Sequence, residues 1–338
     1  MLRTEVLPGE DPRAIEAAAA LLRAGEPVAF PTETVYGLGA IATDPMAVAR
    51  VFEVKGRPRF DPLIVHLASY EDVGRYAVAA DARDPRVAAL AERFWPGPLT
   101  VVLRKRDVIP GIVTAGLDTV ALRVPDHPVA LSLIGAVGEP LAAPSANPFG
   151  RLSPTSAAHV ARQLDGRIPL VLDGGPSRIG VESTVVLLAD GQAALLRPGG
   201  LPAEAIEQVT GRLERPGPGE GERLSPGRAA SHYAPGPPVV LLPAGASVPS
   251  HAGRRVGLLA ADDAGRAEAE RVDGPFAAIE VLAPDGDPVV AASRLFEALH
   301  RLDDAGLDLI VAQPVPESGL GLAVMDRLRR AVAATMPR

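Results

Sequence analysis

The sequence predicts an α/β protein, a twisted mixed sheet followed by a second, smaller α/β domain. Three observations predict it. Helical patterns with capping signals alternate with short β-rich apolar runs along the 338 residues. Several of those runs follow one another with no helix between them, which requires some antiparallel pairing and argues against a simple doubly wound fold. A Gly/Pro-rich stretch then interrupts the pattern, which resumes in a tail of about 100 residues, the size of a small domain.

Taken in order, residues 11–24 read as a helix, with Asp11 as its cap and Pro12 in its first turn. PVAF at 27–30 is a strand. Asp44 and Pro45 repeat the cap-and-proline device for a helix through Val54, and DPLIVHL at 61–67 reads as a strand. Residues 86–94 are helical and stop before WPGP; LTVVLRK at 99–105 and TVALRVP at 119–125 are β-rich. Ser153-Pro154 is expected to open a helix ending near Gly166, and IPLVLDGG and ESTVVLL supply two more strands. In the tail, VVLLPAG, RRVGLLA, FAAIEVL and LDLIVAQP resemble strands, with helical patterns at 287–305 and 320–333. The expected organisation is a catalytic domain at 1–209, a linker at 210–238 and an accessory domain at 239–338.

Composition narrows the function classes. Hydrophobic residues are 47 % and charged residues 22 %, and no apolar run approaches the roughly 20 residues of a membrane span. The opening MLRTEVLPGEDP lacks the pattern of a secretion signal, so a cytoplasmic location is the expectation and no membrane partner is foreseen. Cysteine is absent, which excludes disulfides and thiolate metal sites, and the six histidines show no HExxH spacing. A net charge of -7 argues against a broad polyanion-binding surface but leaves room for a local cationic pocket.

Three clusters carry polar chemistry. PTETVYGLGA at 31–40 leaves a strand and offers the hydroxyls of Thr32, Thr34 and Tyr36, with glycines that let backbone approach a ligand. It fits neither GxGxxG nor GxxxxGK[ST], and alone it also fits a glycine-rich turn with structural threonines. KGRPRFDPLIVH at 55–66 gathers Lys55, Arg57 and Arg59 in a turn restricted by Gly56 and Pro58, with His66 on the next strand. Cations held this way suit phosphates, although a solvated basic loop is the plain alternative. PSANPFGRLSPT at 144–155 supplies Ser145, Asn147 and Ser153, and a helix opening at 154 would offer free N–H groups to a phosphate; an ordinary capped turn would look the same. Arg123 in RVPDH, Ser183 and Thr184 in GVESTVV, and Arg197 in LLRPG add to the set. GxSxG is absent, and no nucleophile stands beside a base. Cations and small polar groups without a nucleophile point to an enzyme that positions two substrates for direct transfer.

In order along the chain, PTETVYGLG, KGRP with PLIVH, WPGPLT, RVPDH, PSAN with SPT, and GVESTVV resemble the YrdC-like family. SPGRAASHYAP resembles the link of its long two-domain form, the threonylcarbamoyl-AMP synthases. The resemblance implies a sheet around a large cationic cavity and a small Rossmann-like C-terminal domain. The reaction it implies makes L-threonylcarbamoyladenylate from L-threonine, bicarbonate and ATP with release of pyrophosphate, for t6A modification of tRNA. Thr34, His66, Arg123 and Ser183 would line the threonine end, with Arg123 on the carboxylate. Lys55, Arg57, Asp61, Thr119, Ser145, Asn147, Ser153, Arg197 and Tyr233 would surround ATP, and Lys55, Arg57 and Arg123 would carry the catalytic charge stabilisation. Residues 225–236, with His232 beside Tyr233, would act as a lid. Mg2+ would enter mainly on ATP, its protein ligands unreadable, and the product would pass to tRNA threonylcarbamoyl-transfer machinery. The readings set against this one are carbamoyl adenylation from carbamoyl phosphate and non-catalytic RNA binding.

Overall fold

The computed structural model describes residues 3–189, 191–217, 233–242, 246, 253–273 and 275–335. Residues 218–232 of the expected linker, with most of the expected lid and His232, lie outside the described residues. The chain forms two compact units. The first runs to Phe149, takes in Pro154–Arg178 and resumes at Glu182; the second comprises Gly150–Ser153, Ile179–Val181 and the described residues from Tyr233 onward.

The first unit contains β1 (Glu5–Pro8), α1 (Pro12–Arg23), β2 (Val28–Phe30), β3 (Gly37–Ile41), α2 (Pro45–Lys55), β4 (Ile64–His66), α3 (Val73–Tyr76), α4 (Ala79–Ala82) and α5 (Pro85–Phe94). It continues through β5 (Leu99–Arg104), β6 (Thr119–Arg123), α6 (Pro128–Val137), β7 (Leu141–Ala142), α7 (Ala157–Leu164), β8 (Leu170–Asp173), β9 (Thr184–Leu187), β10 (Ala194–Arg197) and α8 (Ala203–Thr210). Among the described residues its strands make one sheet in the order β1-β8-β2-β3-β7-β4-β6-β5-β9-β10. Parallel pairs such as β4/β6 and β5/β9 alternate with antiparallel pairs such as β5/β6 and β2/β3, the mixture that consecutive strands without helices foretold.

Local chemistry sets the elements that matter for the site. Asp11 caps α1 by accepting from the backbone N–H of Arg13, and Asp44 caps α2 by accepting from Met46 and Ala47. Gly56, in the left-handed region at φ 60°, stops α2 just after Lys55. One face of α1, Ile15, Ala18, Ala19 and Leu22, packs with Val129, Leu133 and Ile134 of α6 over Val28, Phe30, Leu141 and Leu170. The opposite face of the sheet buries Val65, Val101, Leu122 and Val186 beneath helices that include α2 and α5.

Two sequence expectations change. Glycines 37 and 39 do not lie in a ligand-facing loop; they form β3, and a Cβ at Gly39 would stand 2.8 Å from the Phe30 ring, so the missing side chain serves sheet packing. The helix expected at Ser153-Pro154 begins instead at Ala157, capped by Ser156, whose Oγ accepts from the backbone N–H of His159 at 3.3 Å. Ser153 therefore offers no helix terminus to a phosphate. A proline reads as a helix start whenever it follows a serine, but here Ser156 holds the cap two residues later.

The second unit holds β11 (Val239–Leu241), β12 (Val256–Ala260), α9 (Asp263–Asp273), β13 (Ala278–Val281), α10 (Pro288–Asp304), β14 (Leu309–Ala312) and α11 (Gly321–Thr335). Its described strands form a parallel sheet in the order β11-β14-β12-β13, and α9 joins β12 to β13 where the sequence predicts two strands in direct succession.

Candidate active site

Strand register builds the site. Ile64 on β4 lies opposite Ala121 on β6, Val102 on β5 opposite the same residue, and Val185 on β9 opposite Thr100, so these side chains share one face. Ile64, Ala121, Val102 and Val185 make a small apolar cluster there. One alternation further along each strand, in the same direction, come His66, Arg123, Thr100 and, just before β9, Ser183. The face changes from apolar to polar within one step, although all four polar side chains are buried. Buried polar groups need partners, and here they find them in one another and in the loop after β2.

Arg123 is the centre of that loop's contacts. Its Nη1 donates to Thr34 Oγ1 at 2.9 Å and its Nε to the Gly97 carbonyl at 3.2 Å, while Nη2 lies 2.5 Å from Glu33 Oε1. Thr32 Oγ1 donates to the Val35 carbonyl at 2.6 Å and sits 2.8 Å from Thr34 Oγ1. With the Thr32 proton committed to Val35, the Thr34 hydroxyl donates to Thr32 and accepts from Arg123, which leaves it one free lone pair. Tyr36 points elsewhere: its hydroxyl donates to the Gly175 carbonyl at 2.7 Å, and burial pushes its pKa up. It fastens the loop to the end of β8 and offers no hydroxyl to a ligand.

His66, opposite Arg123 in register, places Nδ1 3.2 Å from its own strand's Ile64 carbonyl and meets the Phe30 ring edge-on. Burial, aided by the Arg123 charge, lowers its pKa to about 3, so the imidazole is neutral near pH 7. On the other side of the strand order, Ser183 Oγ lies 2.8 Å from Thr100 Oγ1, and Arg197 Nη2 donates to the Ser183 carbonyl at 2.9 Å and to its Oγ at 3.2 Å.

A second cationic group forms where α2 ends. Lys55 Nζ donates to the Ser145 carbonyl at 2.6 Å and also to the Asn147 carbonyl. Arg57 donates to the carbonyls of Asp61 and Pro62 and pairs with the Asp61 carboxylate at 2.9 Å. Burial, with the Arg57 charge beside it, pulls the Lys55 pKa well below that of an ordinary lysine. Arg59, in the same turn, is exposed.

Of the residues singled out from sequence, Thr34, His66, Arg123 and Ser183 thus occupy one region of one sheet face. Lys55, Arg57, Asp61, Ser145 and Asn147 form a connected group of their own, and Thr119 lies on the Arg123 face at the far end of β6. Ser153 and Tyr233 belong to the second unit and make their described contacts there. The Ser153 carbonyl is 3.1 Å from His300 Nε2, and the Tyr233 ring packs on Phe296 with the Arg327 guanidinium over it at 5.4 Å. Sequence reasoning missed Glu33 and Thr100. Thr100 was legible as the one polar residue in the apolar run LTVV; Glu33 stood out within PTETVYGLGA, but nothing local pointed to its pairing with the distant Arg123.

Comparison with known proteins agrees over the whole length. Residues 20–199 match the Sua5/YciO/YrdC family model, described as telomere recombination, and residues 201–333 match the threonylcarbamoyl-AMP synthase C-terminal domain. The chain is 47 % identical to the threonylcarbamoyl-AMP synthase of Pyrococcus abyssi, over 94 % of this chain and 93 % of that protein. It is 44 % identical to that of Bacillus subtilis, over 99 % and 97 %. The crystal structure of P. abyssi Sua5 complexed with L-threonine superposes with a TM-score of 0.84 at 42 % identity, covering 95 % of this chain and 94 % of that one.

Proposed function

Because the chain belongs to the Sua5/YciO/YrdC family in its two-domain form, we infer that it is an enzyme making threonylcarbamoyl-AMP from L-threonine and ATP, for t6A modification of tRNA. The observation that carries this reading is the end-to-end likeness to curated threonylcarbamoyl-AMP synthases at 44 % and 47 % identity. Bicarbonate or CO2 is the third substrate in this proposal, giving the balanced reaction L-threonine + HCO3⁻ + ATP → threonylcarbamoyl-AMP + pyrophosphate + H2O. The tRNA threonylcarbamoyl-transfer machinery is the proposed recipient of the product, and the cytoplasm its proposed place.

The site residues take the following roles. Arg123 receives the threonine carboxylate with its planar fork, and Thr34 and Ser183 offer hydroxyls to the rest of the amino acid. Lys55, Arg57, Asp61, Thr119, Ser145, Asn147, Ser153, Arg197 and Tyr233 are assigned to ATP. The threonine amine takes up the one-carbon unit, and the resulting N-carboxylate attacks the α-phosphorus of ATP as pyrophosphate leaves. Nucleophile and target are both anionic, so the work of the protein is to lower their repulsion and hold them in line. Lys55 suits that work: burial and the Arg57 charge disfavour its charged form in the free protein, and the negative charge of an arriving polyphosphate favours it. His66 contributes hydrogen bonds, because an imidazole with a pKa of about 3 is a poorly matched base for an ammonium.

Magnesium would supply charge neutralisation on the phosphates. Among the described residues no cluster of three or more His, Asp or Glu side chains gathers to cage a metal, and magnesium ordinarily needs only one or two carboxylates beside substrate phosphates. The nucleotide is its carrier in this proposal.

Pyrophosphate release, followed with product mass detection, tests the reading. Release is expected only with both L-threonine and bicarbonate, together with the threonylcarbamoyl-adenylate mass. In Arg123→Met, kcat/KM for threonine is expected to fall about 100-fold or more, the scale of losing a charge-assisted contact to a carboxylate. Turnover with carbamoyl phosphate in place of threonine and bicarbonate would overturn the substrate assignment.

A further inference from the structure

Glu33 is the feature of the site that the roles above leave unused. It is a carboxylate with no solvent exposure of its side chain, held 2.5 Å from Arg123 Nη2. Yet neither Glu33 oxygen, nor Arg123 Nη2, meets hydrogen-bond geometry with any group in the protein. The two ions are close but out of line, so hydrogen-bonding capacity remains on both. Buried charges with unfilled capacity are costly, and native proteins keep them where something else fills them. The unfilled groups are an acceptor beside a donor, one negative and one positive. Thr34 Oγ1, which Arg123 already contacts at 2.9 Å, adds a further free lone pair.

We propose that Glu33 is the ammonium-recognising residue of the amino-acid site: the Glu33–Arg123 pair is a receptor for an α-amino acid zwitterion, with Arg123 on the carboxylate and Glu33 on the ammonium. The pairing rests on the reading that L-threonine is the substrate and that Arg123 takes its carboxylate. It explains why a site that binds an acid keeps a buried carboxylate next to its arginine. A lone arginine would accept any carboxylate of the right size; the pair requires a positive charge beside it. It also explains selection at the next step. Once the amine carries the new carboxylate it is no longer cationic, and the negative Glu33 disfavours its return, turning the group away toward the nucleotide.

The test is calorimetric titration of the full-length protein with L-threonine and with (2S,3R)-2,3-dihydroxybutanoate, the same skeleton with hydroxyl in place of ammonium. A charge-assisted hydrogen bond predicts that wild type binds threonine about tenfold or more tightly than the hydroxy acid. In Glu33→Gln, threonine affinity is expected to fall about tenfold while hydroxy-acid affinity changes less than about twofold, on the same scale. Equal wild-type binding of the two ligands overturns the proposal without any variant, and so does a parallel loss of both in Glu33→Gln, which would mark a structural role. L-Threoninamide separates the premise: if wild type binds it as well as threonine, the Arg123 assignment falls while the ammonium contact stands. Absence of any threonine binding by wild type would overturn the substrate assignment and the proposal with it.

Discussion

Arg123 and His66 face each other in register on neighbouring strands, and the Arg123 charge adds to burial in lowering the His66 pKa. The guanidinium is fixed by a threonine hydroxyl, a backbone carbonyl and a glutamate, so replacing it by methionine leaves Glu33 buried without a counter-ion. Unfolding free energy in Arg123→Met is expected to drop by about 3 kcal/mol or more, measured by urea denaturation, as for other broken buried pairs. His66 predicts a pH effect of defined sign. Its folded pKa of about 3 lies below the ordinary value of 6.5, so between those values the unfolded chain binds a proton that the folded chain refuses. Its contribution is therefore fully present above pH 6.5 and is lost as pH falls, with a slope of about 1.4 kcal/mol per pH unit for one such group. His127, also depressed by burial, adds in the same direction. Replacing His66 by glutamine should flatten the acid limb of the stability curve; an unchanged limb would mean that His66 already titrates normally in the folded protein.

At the scale of elements, caps and alternation carried most of the legible information. Asp11, Asp44 and the Pro residues after them marked α1 and α2 to within a residue, because a side chain that accepts from the first turn and a ring that needs no N–H are local devices. Ser153 misled for the same reason: the local device was really at Ser156. Ser156→Ala is accordingly expected to cost about 1 kcal/mol in urea denaturation, the usual loss of an N-cap. Substitution at Ser153 should show no such loss from α7. The motif loop was legible as chemistry but not as geometry. Thr34, Arg123 and Ser183 could be named from the sequence, yet their convergence depends on the register of β4, β6, β5 and β9, and long-range pairings such as His66 with Arg123 or Leu99 with Thr184 leave no local trace. The glycines of β3 were legible as glycines only; that they accommodate Phe30 is a fact of tertiary packing.

At the scale of the molecule, the chain enters its second unit twice before the linker, at Gly150–Ser153 and at Ile179–Val181. Both excursions are pinned inside that unit. The Gly150 carbonyl accepts from the Ala234 N–H at 2.8 Å, and Arg151 pairs with Asp303 at 3.2 Å. Gly180 adopts φ 75°, and a Cβ there would fall on the backbone of Ser293. Gly180→Ala combines backbone strain with a clash that no side-chain rotation relieves. It is expected to lower thermal stability by about 2–4 kcal/mol. Retained stability would show that the segment moves away from Ser293 at little cost.

That double excursion bears on how such a protein can be rebuilt. A tail borrowed from a relative and spliced on at the linker would arrive without the two short stretches it packs around, since those remain in the recipient's half of the gene. Chimaeras that also carry over positions 150–153 and 179–181 should fold where simple tail swaps do not, and the two halves of the chain are in this sense inherited as a single unit.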